Sequence, residues 1–219
     1  MINLVFLGAP GSGKGTYAAR ISEMFHIPAI STGEILRQAM RSGSELGAEV
    51  KSYVEGGKLV PDTVMGRVLE ERLGQADCAA GFILDGYPRT LAQAETLERV
   101  LKARGCAVTI AVGVEATGEL LLQRLGGRRS CPECGAGYNI HTLKPAKDGI
   151  CDKCGTALVI RPDDEPATIR KRLEVYREQS APLVSWYKAR GILRSVSSDA
   201  AIPDVVSRIA ALIREVSGS

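Results

Sequence analysis

No run of this sequence is long and apolar enough to cross a lipid bilayer. The longest nearly unbroken apolar stretches lie at 4–7, 107–112 and 209–213, far short of the roughly 18 residues that a spanning helix needs. An excess of one charge is also missing. Lysine plus arginine number 28 and aspartate plus glutamate 25, which leaves +3, too even a balance to argue for nucleic-acid binding or membrane adhesion by bulk charge. Met1-Ile2-Asn3-Leu4-Val5-Phe6-Leu7 carries no basic residue ahead of its apolar part, and Gly8 and Pro10 interrupt before a secretory segment forms, so a cytoplasmic location is expected. Internal repeats and low-complexity tracts are absent too. Collagen, coiled coil, transmembrane bundle and disulfide knot are excluded.

What is present is an ordinary globular composition, 45% hydrophobic and 24% charged over 219 residues, enough for one core domain with room for inserts. Short β-favouring runs recur at 2–7, 27–30, 81–85, 107–114 and 192–196. Helix-patterned segments lie between them, at 14–25, 64–73 and 91–104. Near-continuous apolar strands alternating with helices predict an α/β fold, a parallel sheet covered on both faces. Two stretches break the rhythm. Residues 31–60 carry helical patterns with little strand signal and end in Gly56-Gly57 and Pro61-Asp62. Residues 126–164 are rich in Gly, Pro and Cys and read as a separate insert. The helix after that insert is expected to start near Glu165-Pro166, to show Ile169, Leu173 and Tyr176 on one face, and to end or kink at Pro182.

Gly8-Ala9-Pro10-Gly11-Ser12-Gly13-Lys14-Gly15-Thr16 follows the first strand and opens a helix. Glycines let the backbone fold tightly, so that several N–H groups converge on one anion at a helix N-terminus. Lys14 adds a mobile positive charge for the outer phosphates. The general pattern places Ser or Thr directly after the lysine; here Gly15 intervenes and Thr16 carries the hydroxyl. A second anchor is Gly81-Phe82-Ile83-Leu84-Asp85-Gly86-Tyr87-Pro88-Arg89. An apolar strand ending in Asp85 can set a carboxylate beside the loop to orient hydrated Mg²⁺; capping of the next turn is the plainer role. Arg89 follows the strand end, where ligands bind in open α/β sheets.

Cys131-Pro132-Glu133-Cys134 and Cys151-Asp152-Lys153-Cys154 form two Cys-x-x-Cys knuckles, each followed by glycine. Four thiolates at this spacing match a tetrahedral structural zinc with no open coordination position. Iron in the same ligands and a redox dithiol are the alternatives. His26 and His141 are not needed as ligands.

The ordered set of segments resembles the adenylate kinase family over nearly the whole chain. It comprises the loop 8–16, Ser31-Thr32-Gly33-Glu34-Ile35-Leu36-Arg37, Gly57-Lys58-Leu59-Val60-Pro61-Asp62, residues 81–90, Arg124-Leu125-Gly126-Gly127-Arg128-Arg129 and Arg170-Lys171-Arg172. The resemblance implies a P-loop three-layer αβα sandwich with about five parallel strands. The core would be 1–30, 61–126 and 165–219, with an AMP-binding helical insert at 31–60 and a zinc-bearing lid at 127–164. It implies Mg-dependent transfer of a phosphoryl group from ATP to AMP, giving two ADP, by a monomer that binds neither nucleic acid nor membrane.

On that resemblance Gly11, Ser12, Gly13, Lys14, Gly15 and Thr16 hold the ATP phosphates. Arg124 contacts ATP, Gly137-Tyr138 cover its base, and Ala200 meets adenine through the backbone. Thr32, Arg37, Lys58, Leu59, Val60, Gly86, Tyr87, Pro88, Arg89 and Gln93 form the AMP site. Arg128, Arg161 and Arg172 surround the phosphates, the last two reaching the AMP side. Glu34 replaces the commoner Asp and Tyr87 the commoner Phe, the latter expected to alter contacts around AMP. The Gln93 amide can donate and accept toward the adenine edge. Two rivals remain: a UMP- or CMP-type monophosphate kinase, and a zinc-ribbon nucleic-acid-binding NTPase. The second would need a basic, aromatic-rich face, yet residues 130–160 hold one aromatic, Tyr138.

Overall fold

The computed structural model of the chain describes residues 1–218. Five strands form one parallel sheet in the order β2-β3-β1-β4-β7, with β1 Ile2–Leu7, β2 Ala29–Ser31, β3 Gly81–Asp85, β4 Ile110–Glu115 and β7 Leu193–Ser197. Side chains of a strand alternate between faces, and the two cores follow that period of two. Leu4 and Phe6 join Ile83, Ile110 and Val112 under α1 (Lys14–Phe25) and α9 (Ile202–Ser217). Val5 and Leu7 join Phe82, Leu84 and Ala111 under α4 (Asp62–Leu73), α5 (Leu91–Ala103) and α8 (Pro182–Ala189). The result is the helix–sheet–helix sandwich that near-continuous apolar strands demand.

The remaining elements stand off this sandwich. Helices α2 (Thr32–Ser42) and α3 (Glu45–Glu55) pack as a pair. Helix α6 (Gly118–Gly126) leads into a small antiparallel pair, β5 (Arg128–Ser130) with β6 (Gly137–Asn139). Helix α7 (Pro166–Val175) returns the chain to the sandwich.

Several boundaries differ from those read in the sequence, each for a local reason. The second strand starts at Ala29 and not at residue 27, because Pro28 has no N–H to give to a ladder. The fourth starts at Ile110 and not at 107, where Asn3 takes the Ala107 carbonyl with its side-chain amide at 2.8 Å. Helix α7 ends before Pro182. A proline ring crowds the carbonyl four residues back, so the ladder widens first: the Ala181 N–H donates to the Tyr176 carbonyl, five residues back, at 2.8 Å. Pro182 then sits in the first turn of α8, where a missing N–H costs nothing.

The α2–α3 pair depends on a close approach. Ser44 caps α3 by accepting the Gly47 N–H at 3.2 Å, and its hydroxyl donates to the Ala39 carbonyl at 3.1 Å. A β-carbon at Gly47 would lie 2.2 Å from that carbonyl oxygen, a distance that forces the helices apart. Gly47→Ala is expected to cost about 2 kcal/mol as an overpacking change and to lower Tm by roughly 4–8 °C in a thermal melt. An unchanged Tm would contradict the packing described.

Candidate functional site

β1 ends at Leu7, and the glycine loop delivers the chain to α1 with Gly13 at the N-cap (φ 98°) and no side-chain cap. The first amides of α1 are therefore open to an anion. Lys14 folds back over the loop: its Nζ donates to the Gly8 carbonyl at 2.7 Å and the Ala9 carbonyl at 2.9 Å. Its pKa falls to about 8, chiefly through loss of water. Asp85 opposes the shift, while Arg89, Arg128 and Arg172 add to it. Ser12 is fully buried and Thr16 half-buried in the first turn. A β-carbon at Gly15 would meet Asp85 Oδ2 at 3.1 Å.

Around this loop the chain gathers guanidiniums on buried carboxylates. Arg172 Nη1 donates to Asp164 Oδ1 at 2.9 Å and to the Asp163 carbonyl at 2.8 Å, and pairs with Asp163 Oδ2 at 3.0 Å. Arg128 Nη1 reaches the same Asp164 Oδ1 at 3.1 Å. Arg37 approaches Asp163 at 4.0 Å and donates to Glu34 at 3.1 Å. Arg161 donates to Ser130 Oγ. Arg89 Nε donates to the Gly86 carbonyl at 2.8 Å, which also accepts the Thr32 hydroxyl at 2.9 Å. Arg89 and Arg161 are each pulled down to about 10, first by burial and then by neighbouring guanidiniums; burial lowers Arg128 too.

Asp163 and Asp164 escaped the sequence reading. Their signal was two adjacent carboxylates just after Arg161, but the pairing with Arg172 and Arg128 is a tertiary fact. Ser198 is a second omission. This fully buried residue accepts Arg124 at Oγ (3.0 Å) and at its carbonyl (2.7 Å), while Arg124 also donates to the Ser12 carbonyl at 3.2 Å. Arg124 thus ties the glycine loop to the turn after β7, two residues from half-buried Ala200.

A cleft opens against these guanidiniums. Among its walls are Thr32, Arg37, Gly86, Arg89, Gln93 and Arg172, with Lys58, Leu59 and Val60 completing the rim. Tyr87 and Pro88, joined by a cis peptide bond, are buried and do not line it. The Tyr87 ring is fully buried and its hydroxyl donates to the Gln93 carbonyl at 3.1 Å. The tyrosine expected to alter contacts around the ligand is therefore turned into the core. Tyr138 is likewise not displayed. Its ring packs with Cys131 and Cys151, and its hydroxyl accepts the Asp152 N–H at 2.8 Å, which leaves the backbone of 137–138 as the part able to meet a ligand. Glu34 bonds Arg41 at 2.8 Å and lies close against Gly135 of the first cysteine knuckle.

The four cysteine sulfurs lie within 4.8 Å of one another, with Cys131–Cys154 at 3.3 Å and Cys134–Cys151 at 3.5 Å. Those separations are far from the ~2.05 Å of a disulfide and near the ~3.8 Å between sulfurs placed about 2.3 Å from a tetrahedral zinc. Both knuckles are built alike: the Gly135 N–H donates to the Cys131 carbonyl and the Gly155 N–H to the Cys151 carbonyl, each glycine at positive φ. The donor set is compatible with zinc. His26 and His141 are exposed and take no part.

A glycine loop at a helix N-terminus, its lysine, a carboxylate at the neighbouring strand end and a ring of guanidiniums define a P-loop phosphate-binding protein. A family model described as adenylate kinase matches residues 6–192. The chain is 47% identical to an adenylate kinase of Thermodesulfovibrio yellowstonii over 214 residues, covering 98% of this chain and all of that one. It is 48% identical to that of Moorella thermoacetica over 208 residues (95% and 96%) and 47% identical to that of Geobacter sulfurreducens over 217 (99% and 100%). The chain belongs to the adenylate kinase family.

The apolar core of the cysteine segment amounts to Cys131, Tyr138 and Cys151, with Ala136 and Leu158 packed on it, too little to hold shape unaided. Stripping metal from zinc-loaded protein with a chelator should lower Tm by more than about 5 °C and change kcat by less than about twofold. A Tm that does not move would contradict a structural metal.

Proposed function

We propose that this protein transfers the terminal phosphoryl group of ATP reversibly to AMP, giving two ADP. One observation carries the reading. Arg89 and Arg172, which wall the cleft, also act electrostatically on Lys14 of the glycine loop, so two phosphate sites share one set of cations. Phosphoryl transfer asks for in-line alignment, exclusion of water and neutralisation of charge on the transferring oxygens. Guanidiniums supply the last bidentately and stay ionised at physiological pH.

In this reading Gly11 to Thr16 hold the ATP phosphates, Arg124 and the backbone at Gly137, Tyr138 and Ala200 hold the rest of ATP, and the cleft holds AMP. Lys14, Arg89, Arg124, Arg128, Arg161 and Arg172 act on the phosphates. Asp163 and Asp164 orient Arg128 and Arg172. Residues 31–60 and 127–164 serve as inserts on the core. Asp85 would hold the water shell of Mg²⁺, which supplies charge neutralisation on the ATP phosphates when bound. Cys131, Cys134, Cys151 and Cys154 would hold a zinc that fixes the shape of the second insert. No described helix is long and apolar enough to cross a membrane, and all six cysteines are free of disulfides, which favours a reducing, cytoplasmic setting. We read the enzyme as a monomer.

The test offers ATP·Mg²⁺ with AMP, CMP, UMP or GMP in turn and measures ADP. AMP should exceed each of the others in kcat/KM by at least about a hundredfold, and Arg89→Ala should lower kcat by at least about a hundredfold while the protein remains folded. A preference for UMP or CMP would replace this reading with the pyrimidine one, and near-normal turnover in Arg89→Ala would remove that residue from the site.

A further inference from the structure

Gln93 is 2% exposed, and its surroundings leave its amide a single orientation. Oε1 accepts the Arg89 N–H at 2.7 Å, and Nε2 donates to Asp62 Oδ1 at 2.7 Å. A carboxylate takes only a donor and a backbone N–H takes only an acceptor, so turning the amide over would break both bonds. Asp62 is itself held: its other oxygen, Oδ2, accepts the Thr90 hydroxyl at 3.1 Å, and Thr90 Oγ1 accepts the Gln93 N–H at 3.1 Å. As the first residue of α4, Asp62 also stands where a helix favours negative charge. It does not line the cleft; Gln93 does.

One Nε2 hydrogen therefore remains as a donor for a ligand, beside the second lone pair of Oε1. We infer that Asp62 is a positioning residue for base selectivity: it fixes the Gln93 amide so that the cleft offers a hydrogen-bond donor to the base. The adenine ring edge carries a bare acceptor at N1. Hypoxanthine carries N1–H at the same place and would set donor against donor. This inference rests on the proposed placement of AMP beside Gln93.

The experiment compares AMP with inosine monophosphate as acceptors at saturating ATP. In Asp62→Ala the amide loses one of the two bonds that orient it, keeping only the Arg89 N–H on Oε1. KM for AMP should rise about tenfold and the AMP-to-inosine-monophosphate ratio of kcat/KM should fall about tenfold, the worth of one hydrogen bond, while KM for ATP is unchanged. Asp62→Asn, which keeps an oxygen for Nε2, should hold the ratio within about threefold. In a Gln93→Ala background Asp62→Ala should add less than about twofold, because the lock has nothing left to orient. Asp62→Ser, too short to reach Nε2, reads the same quantities should the alanine variant not fold. An unchanged ratio in Asp62→Ala, or an equal fall with Gln93 already removed, overturns the inference. Wild-type KM and selectivity in Gln93→Ala alone overturn it too, and in that case the placement of AMP fails with it.

Discussion

Like charges crowded into a poorly hydrated crevice are the constraint on which the rest of this structure turns. Lys14, Arg37, Arg89, Arg128, Arg161 and Arg172 converge there, facing Asp85, Asp163 and Asp164, with Glu34 held between Arg37 and Arg41 at the rim. Burial and mutual repulsion pull Lys14, Arg89 and Arg161 below their ordinary values. A polyphosphate relieves both at once, since it brings the missing negative charge and fills the crevice. The protein alone is held short of electrostatic balance, and the ligand supplies it.

The fold is arranged to sustain that imbalance. Parallel strands end on one edge, so the loop after β1 and Asp85 at the end of β3 meet there without further design. The other cations arrive on separate elements: Arg37 from α2, Arg89 from the turn before α5, Arg128 from β5 and Arg172 from α7. Asp164, with no exposed side-chain surface, ties β5 to α7 through Arg128 and Arg172. A buried carboxylate is costly unless fully paired; here each oxygen contact doubles as the positioning of a guanidinium. The cysteine knuckles stand outside this economy of charge and give form to a segment with almost no apolar core.

Much of this was legible in the sequence because it is local. The glycine loop, the strand ending in Asp85 and the Cys-x-x-Cys pairs each declare themselves within about ten residues, and β1, β3 and α1 fall at the bounds their patterns predict. Strand starts at Ala29 and Ile110 were less legible, because pairing depends on Pro28 and Asn3 and not on hydrophobicity. The orientations of Tyr87 and Tyr138 were hidden for a different reason. A motif gives a residue's place along the chain, whereas a buried hydroxyl is aimed by whichever partner the packing supplies, here the Gln93 carbonyl and the Asp152 amide. Asp62, Asp163, Asp164 and Ser198 were hardest to see. Each acts on a residue 8 to 74 positions away, a separation at which sequence spacing carries no signal.

The most direct measurement is the titration of Lys14 itself, followed by NMR of the side-chain nitrogen in the free protein and with a bisubstrate dinucleoside polyphosphate bound. The free protein should titrate at about 8, and the bound polyphosphate should carry the midpoint back above about 10, toward an ordinary lysine. A free-protein midpoint already at the ordinary lysine value, or one that the polyphosphate leaves in place, would contradict a crevice held short of negative charge.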